Sequence, residues 1–235
     1  ILMTEGCRGE GGILLNKDGY RYLQDYGLGP ETPVGQPKNK HMELGPRDRL
    51  SQAFWQEQQK GRVIQGPMGD VVHLDLRHLG EKYLKERLPF ICELAKAYVG
   101  VDPVKEPIPV RPTAHYTMGG IETDGKCATR MPGLYAAGEC ASVGLHGANR
   151  LGSNSLSEIV VFGKVAGEQA AEFAATQQHG NTEALAAKAE ALIKQHLSLM
   201  DIDGTENPAD IRNELGMSME AGVGIYRTEE LMQGT

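Results

Sequence analysis

The sequence predicts an α+β protein. Short apolar stretches bounded by glycine or proline occur in the first 140 residues and are typical of strands. A segment with four prolines, at residues 103–112, divides the chain, and a longer stretch with helical character follows it. The tail from residue 182 onward is rich in Ala, Glu and Leu, which predicts helices.

The elements before the prolines follow from local signals. Lys17-Asp18-Gly19 predicts a hairpin turn, and Pro46 stands at a favoured first helical position. Pro89 predicts a bend or an interruption in a helix. The predicted elements are a strand at Ile13–Leu15, a loop at residues 28–45, a helix from Pro46, an alternating strand at residues 71–76 and a helix over residues 77–99.

The prolines hold the backbone extended, which predicts a stiff connector and a domain boundary. They are Pro103, Pro107, Pro109 and Pro112. Beyond them we expect strands at residues 121–123 and 133–137, a turn at Asp124-Gly125, a helix over residues 155–177, and tail helices at residues 182–199, at residues 208–219 and from about Arg227. The tail predicts the start of a helical domain that the chain does not complete.

Composition excludes several functional classes. The chain has 235 residues, enough for one large domain or two smaller ones, and its net charge of −7 argues against nucleic acid as the main partner. No apolar run reaches membrane-spanning length. The cysteines are scattered without a C-x-x-C pair, which indicates reduced thiols and no metal site. They are Cys7, Cys92, Cys127 and Cys140.

Cationic side chains near glycines predict an anion site in this acidic protein, because a guanidinium binds a carboxylate through two parallel hydrogen bonds. These side chains are Arg8, Arg47, His115 and Arg150. Arg47 falls in the first turn of its predicted helix, where the helix dipole disfavours a cation, and such violations occur at functional sites. The alternative is a surface ion pair of Arg47 with Asp48 or Glu43.

Residues 145–156 (LHGANRLGSNSL) place His146 and Arg150 in a glycine-containing loop before an apolar helix. Such a loop lets the backbone approach a flat or anionic ligand, and the helix start offers free N–H groups. Glu139 ends an apolar strand, where a carboxylate can accept hydrogen bonds from hydroxyl groups. His115 is predicted near the domain junction, where ligand clefts occur, with a strand-end cap as the alternative. The remaining histidines are expected to be structural or exposed: His41, His73, His78, His179 and His196.

Four segments together resemble the complex II flavoprotein family, which comprises fumarate reductase and succinate dehydrogenase flavoprotein subunits. They are residues 4–12 (TEGCRGEGG), 101–109 (VDPVKEPIP), 115–120 (HYTMGG) and 146–156 (HGANRLGSNSL). Residues 113–118 and Leu145 favour the fumarate reductase branch. The family's G-x-G-x-x-G loop, flavin-linking histidine and His-Pro-Thr-Gly segment do not occur in the chain. The resemblance therefore implies an internal fragment: a capping domain with a flanking strand at residues 1–112, a returning segment of the α/β flavin-binding domain at 113–178, and the start of a helical domain at 179–235.

The resemblance also implies residue roles and partners. The residues that would clamp fumarate or succinate are Thr4, His115 and Arg150. Arg47 would protonate the alkene, and Glu5 and Arg8 would return a proton to Arg47. The residues that would contact FAD are Glu139, Ser155 and Leu156. Closure of the cap would assemble the site. We expect FAD in the parent protein but not in this fragment. The parent would join an iron–sulfur subunit and membrane anchor subunits at the cytoplasmic face of the bacterial inner membrane, in anaerobic respiration.

Three alternatives remain open at this point. Succinate dehydrogenase performs the same chemistry in the opposite direction. L-aspartate oxidase shares Arg-Gly-Glu-Gly and His-Gly-Ala-Asn-Arg, although Gly6-Cys7 and residues 101–107 favour the respiratory enzymes. The isolated chain could also be a non-catalytic module that binds dicarboxylates or nothing.

Overall fold

The computed structural model describes residues 2–29, 42–67, 69–178, 180 and 182–235. It contains both helices and small sheets, which confirms the α+β class. The chain forms two compact units, one of Ile1–Thr113 with Glu206–Thr235 and one of Ala114–Thr205. The three-domain assignment at residues 1–112, 113–178 and 179–235 stays a prediction, because compactness does not identify a domain.

Among the described residues, short strands occur between the helices up to residue 142, and helices follow from there. They are α1 (Glu5–Gly9), α2 (Arg47–Gln59), α3 (Glu81–Arg87), α4 (Pro89–Val99), α5 (Asn154–Thr176), α6 (Thr182–Leu197), α7 (Pro208–Val223) and α8 (Glu229–Gln233). The strands are β1 (Ile13–Leu15), β2 (Ile64–Gly66), β3 (Gly69–Asp75), β4 (Ile108–Val110), β5 (Ile121–Glu122) and β6 (Ala141–Ser142).

The first unit is built on an antiparallel sheet in which β3 pairs with β1, β2 and β4. The strands predicted at Ile13–Leu15 and near residues 71–76 are confirmed. The proline segment is extended as predicted, but part of it is β4 rather than a connector. Pro109 opposes His73 there, and fully buried Ile108 draws the segment into the core. A proline is tolerated because β4 pairs only with β3 among the described strands.

The turn after β1 forms as predicted, with the Gly19 N–H donating to the Asn16 carbonyl at 3.0 Å. The hairpin prediction is wrong, because the residues described directly after the turn, up to residue 29, form no strand that pairs with β1. Residues Tyr22–Tyr26 instead form a 3₁₀-helix, and Tyr22 and Leu23 are buried in the core. The burial of these two side chains favours the 3₁₀-helix over a second strand of a hairpin.

The predicted helical boundaries hold within a few residues. The interruption near Pro89 is confirmed, since residues 77–99 form a 3₁₀-helix at Arg77–Leu79 followed by α3 and α4. Pro46 caps α2 rather than beginning it, and α7 extends four residues past the predicted end at Met219. Residues 30–41 of the predicted loop lie outside the described residues, and Met42–Leu44 form a 3₁₀-helix.

The second unit pairs β5 with β6 in parallel and carries the long α5. The strand predicted at residues 133–137 is wrong. Pro132 and Gly133 form a turn in which the Leu134 N–H donates to the Met131 carbonyl at 3.1 Å, which leaves a single bridge between Ala128 and Tyr135. The predicted turn at Asp124 is confirmed, because its carbonyl accepts from the Cys127 N–H at 3.0 Å.

In the part of the chain that the structure describes, no helix has both the length and the apolar character needed to cross a membrane. No group of three or more His, Cys, Asp or Glu side chains gathers among these residues in a way that could hold a metal ion. The cysteines are free thiols, and Cys140 is exposed.

Candidate functional site

A carboxylate lies between two guanidinium groups in the first unit. The Glu5 Oε2 atom is 3.0 Å from Arg47 Nε and 3.8 Å from Arg8 Nη2. Glu5 and Arg8 are three residues apart on α1, whereas Arg47 begins α2. The partner of Arg47 is therefore a distant carboxylate rather than the neighbouring Asp48 or Glu43 of the surface-pair alternative.

Arg8 is largely enclosed, with 16% of its side chain exposed. Burial lowers its pKa from the ordinary value; the carboxylate of Glu5 opposes this effect and the nearby charge of Arg47 adds to it. A lowered pKa means that the guanidinium holds its proton less tightly than an exposed arginine does. This electrostatic setting suits a group that passes a proton.

Glu43 holds the Arg8 side chain in place through its main chain. Its main-chain carbonyl accepts a hydrogen bond from Arg8 Nη1. Its own carboxylate is buried, pairs with Arg21 and accepts from the Leu14 N–H at 3.3 Å. Because the carboxylate of Glu43 is engaged in the core, Arg8 meets the peptide oxygen of Glu43.

Thr4 caps α1, and its Oγ1 atom accepts a hydrogen bond from the Gly6 N–H at 2.8 Å. Capping alone would account for a threonine at this position. However, a hydroxyl that accepts still has its own proton to donate. Thr4 is exposed, so this proton can reach a ligand beside Glu5.

A second cluster lies in the second unit around Glu158, whose side chain is 3% exposed on α5. The Glu158 Oε2 atom accepts from Tyr116 Oη at 2.7 Å and lies 2.7 Å from His146 Nε2. Burial acts to raise the pKa of Glu158, but the hydrogen bonds from Tyr116 and His146 outweigh it and lower the pKa overall. Burial, together with the hydrogen bond to Glu158, raises the pKa of Tyr116 to about 12.

Arg150 stacks on this cluster. Its guanidinium carbon lies 4.5 Å from the centre of the Tyr116 ring, within the range of a cation–π interaction. Its Nη1 atom donates to the Leu151 carbonyl at 3.0 Å. Within the described residues its buried Nε atom has no hydrogen-bond partner, and the same holds for His146 Nδ1.

The residues predicted to contact a cofactor lie at two places in this unit. Glu139 is exposed, and its Oε1 atom accepts from the Thr117 N–H at 2.9 Å. Ser155 and Leu156 are in the first turn of α5, which has no acidic residue in that turn and no side-chain cap from Ser153. An uncapped start of a 23-residue helix favours a negatively charged group of a ligand.

His115 is exposed, next to Tyr116 in the chain, and lies in irregular backbone rather than at the end of a strand. Gly120, a few residues later, has φ +132° and lies against the Cys140 carbonyl so closely that a Cβ atom would clash. This contact holds the segment that contains His115 against the residues that follow Glu139.

Sequence reasoning missed the roles of Tyr116, His146 and Glu158. The sequence places His146 in its loop without assigning it a role, and Glu158 has no predicted role. The available signal was an acid on an otherwise apolar helix shortly after a histidine. Two histidines expected to be structural or exposed contact main-chain carbonyls: His78 Nε2 is 2.8 Å from Gly11 O, and His196 Nδ1 is 2.8 Å from Leu192 O. His41 and His179 lie outside the described residues.

Comparison with known proteins gives a consistent set of relatives. Residues 1–156 match the family model described as FAD binding domain. The chain is 73% identical over 235 residues to the fumarate reductase flavoprotein subunit of Escherichia coli K12, covering 100% of this chain and 39% of that protein. It is 41% identical over 246 residues to the succinate dehydrogenase flavoprotein subunit of Coxiella burnetii, covering 99% of this chain and 39% of the relative.

Solved structures agree with these relatives. A quinol-fumarate reductase with menaquinol molecules superposes with a TM-score of 0.91 at 73% identity, covering 100% of this chain and 41% of that one. Mycobacterium smegmatis Sdh1 in complex with UQ1 gives a TM-score of 0.72 at 38% identity, covering 100% of this chain and 36% of that one. The chain thus spans about two fifths of the length of the relatives that it matches.

Proposed function

Because the chain belongs to the FAD-binding domain family, we propose that it is the part of a fumarate reductase flavoprotein subunit that binds the dicarboxylate and delivers a proton. The whole reaction adds a hydride and a proton across the double bond of fumarate to give succinate. Reduced FAD, when bound, supplies the hydride. The residues of this chain bind and orient the substrate and move the proton.

Arg47 donates the proton to the alkene carbon that does not receive the hydride. An arginine ordinarily keeps its proton, but the accepting carbon is carbanion-like and strongly basic in the transition state. Closure of the cap over the substrate would exclude water from the site and strengthen the electrostatic interactions at this step. The hydrogen bond from Arg47 Nε to Glu5 supports this role, because within the described residues the two Nη atoms have no hydrogen-bond partner and can reach a substrate.

Glu5 and Arg8 then return a proton to Arg47. The observation that carries this proposal is the single Glu5 oxygen that lies 3.0 Å from Arg47 Nε and 3.8 Å from Arg8 Nη2. Arg8, whose pKa is lowered by burial, first gives a proton to the Glu5 carboxylate, and Glu5 then passes it to Arg47. Water returns a proton to Arg8 and completes the relay.

Thr4, His115 and Arg150 bind the two carboxylates of the substrate. Thr4 and His115 are exposed and can donate to a ligand, and Arg150 provides the fork of a guanidinium. For the cofactor, we propose that Glu139 accepts from a hydroxyl group of FAD. At the start of α5, the Ser155 N–H and the helix dipole support negative charge on the reduced ring. The Leu156 N–H already donates to the Ser153 carbonyl at 3.0 Å, so Leu156 contributes through the dipole.

The parent protein would pair with an iron–sulfur subunit and membrane anchor subunits, on the cytoplasmic face of the bacterial inner membrane. A relative of 73% identity belongs to a quinol-fumarate reductase, which supports such an assembly. Succinate dehydrogenase is the second candidate, favoured by the 41% identity with the Coxiella burnetii subunit. It uses the same groups in the opposite direction.

Arg47→Gln in the full-length flavoprotein subunit tests the proposed proton donor. We expect fumarate reduction by a reduced dye to fall by about 10²–10⁴-fold, as for loss of a general acid, with the flavin absorbance unchanged. Arg49→Gln is the matched control, because Arg49 is exposed on the same helix and has no assigned role. Turnover of Arg47→Gln near that of the control would exclude Arg47 as the acid.

A further inference from the structure

Three buried or half-buried side chains in the second unit have no part in the chemistry proposed above: Tyr116, His146 and Glu158. They share one carboxylate oxygen, since Tyr116 Oη and His146 Nε2 each lie 2.7 Å from Glu158 Oε2. The rings of Tyr116 and His146 also meet edge to face, with their centres 5.5 Å apart. The phenol is therefore fixed at both its oxygen and its ring.

Arg150 rests on the ring that this cluster fixes, at 4.5 Å from its centre. A guanidinium can be held in two ways. A salt bridge occupies its N–H edges and neutralises its charge, whereas stacking uses its flat face and leaves the edges available. In the described residues the one hydrogen bond of Arg150 goes to the neighbouring Leu151 carbonyl, and its charge meets no carboxylate at ion-pair distance.

We propose that Glu158 and Tyr116 are positioning residues that hold Arg150 by its face, so that its N–H groups stay available for a substrate carboxylate. This proposal rests on the proposed function, in which Arg150 binds the dicarboxylate. Glu158 acts through the phenol: a hydroxyl that donates to a carboxylate makes the ring face more electron-rich and so more attractive to a cation. His146 holds the same oxygen and braces the loop that carries Arg150.

The burial of Glu158 supports a purpose beyond packing. A carboxylate that is 3% exposed costs free energy unless charge and hydrogen bonds compensate it. The hydrogen bonds from Tyr116 and His146 offset this cost, and the positive charge of Arg150 stabilises the carboxylate further. The buried carboxylate thus contacts the tyrosine on which the arginine stacks, and it does not take up the N–H groups that an anionic ligand would bind.

The test compares ring removal with hydroxyl removal in the full-length flavoprotein subunit. Tyr116→Leu removes the stacking surface, and we expect the Kd for succinate and the KM for fumarate to rise about 5–30-fold, the equivalent of a cation–π interaction, with kcat at saturation changed much less. Tyr116→Phe retains the ring and should rescue most of this loss, with a Kd within about 3-fold of wild type. A role in packing alone would not separate KM from kcat or give this order of variants.

Glu158→Gln tests the carboxylate and keeps the proposal open to refutation if Tyr116→Leu does not fold. We expect about a 3-fold rise in KM and a fall in the pKa of Tyr116 from about 12 toward its ordinary value, measured by NMR of ¹³C-labelled tyrosine. Glu168→Gln is the control on the same helix, since Glu168 is exposed and pairs with Lys164. A Glu158→Gln variant with the KM of this control would overturn the proposal.

Arg150→Gln separates failure of this inference from failure of the proposed function. If wild type binds succinate and Arg150→Gln does not, the binding role of Arg150 stands. Tyr116→Leu with wild-type affinity would then refute the positioning role alone. If Arg150→Gln binds succinate as wild type does, the assigned role of Arg150 is wrong, and the positioning proposal falls with it.

Discussion

Replacing Glu57 by glutamine should destabilise the helix that begins with Arg47. Glu57 lies in α2 and is fully buried. Its carboxylate accepts from Asn16 Nδ2 at 2.9 Å, from Tyr26 Oη and from Arg62 Nη2. These bonds tie α2 to the segment after β1, so that the position of Arg47 depends on a buried charge ten residues further along its helix.

The size of the effect follows from these contacts. Loss of one partner of a buried ion pair costs about 3–5 kcal/mol, but Arg62 is 30% exposed, so water screens part of its loss. Glutamine keeps one oxygen acceptor and the shape of the side chain. We therefore expect the free energy of unfolding to fall by about 3 kcal/mol, which at an m-value of about 2 kcal/mol/M lowers the urea midpoint by about 1.5 M.

The single tryptophan makes this measurable in the first unit alone. Trp55 lies on α2, with its ring centre 4.7 Å from that of Tyr226, so its fluorescence reports the surroundings of this helix. Urea unfolding followed by this signal should show the shift for Glu57→Gln. It should show no more than about 0.3 M for Glu93→Gln, an exposed change in the same unit. Equal midpoints for the two variants would refute the reasoning.

Two further outcomes are expected. The pKa of Glu158 is lowered in the folded state, so its ionisation contributes stability above its ordinary value near 4.5, and this contribution is lost as the pH falls through the lower folded value. Acid unfolding followed by circular dichroism should thus depend less on pH in Glu158→Gln than in wild type, and a wild-type dependence would contradict this. Exposed Cys140 should react with iodoacetamide before Cys7, because burial raises the pKa of the Cys7 thiol to about 11. Peptide mass spectrometry measures the order of labelling, and labelling of Cys7 first would contradict the prediction.

Local signals predicted the elements that depend on neighbouring residues. The strand at Ile13–Leu15, the break near Pro89 and the long α5 each follow from short-range geometry of the backbone. The pairing of β1 with β3, some sixty residues away, and the addition of β4 follow from burial, which no window of sequence contains. The strand predicted at residues 133–137 failed for the same reason. Its apolar residues are typical of a strand, but in the structure they follow a turn.

The candidate site divides in the same way. The unusual position of Arg47 in a first helical turn was visible in the sequence, and the resemblance supplied Glu5 and Arg8 as its companions. The cluster around Glu158 was not predicted. Tyr116, His146 and Glu158 are separated by 30 and 12 residues and contact each other only because the fold returns α5 to the loop that contains Tyr116.

The start of α5 bears on attempts to make this protein more robust. Helices are commonly improved by placing an acidic residue in the first turn, and α5 has none. Here such a change, for example at Ser155, would gain helix stability by filling the positive end with the chain's own charge. If the proposed contact with reduced FAD is right, the same charge would repel the anionic ring, and the gain in helix stability would come at the expense of cofactor binding.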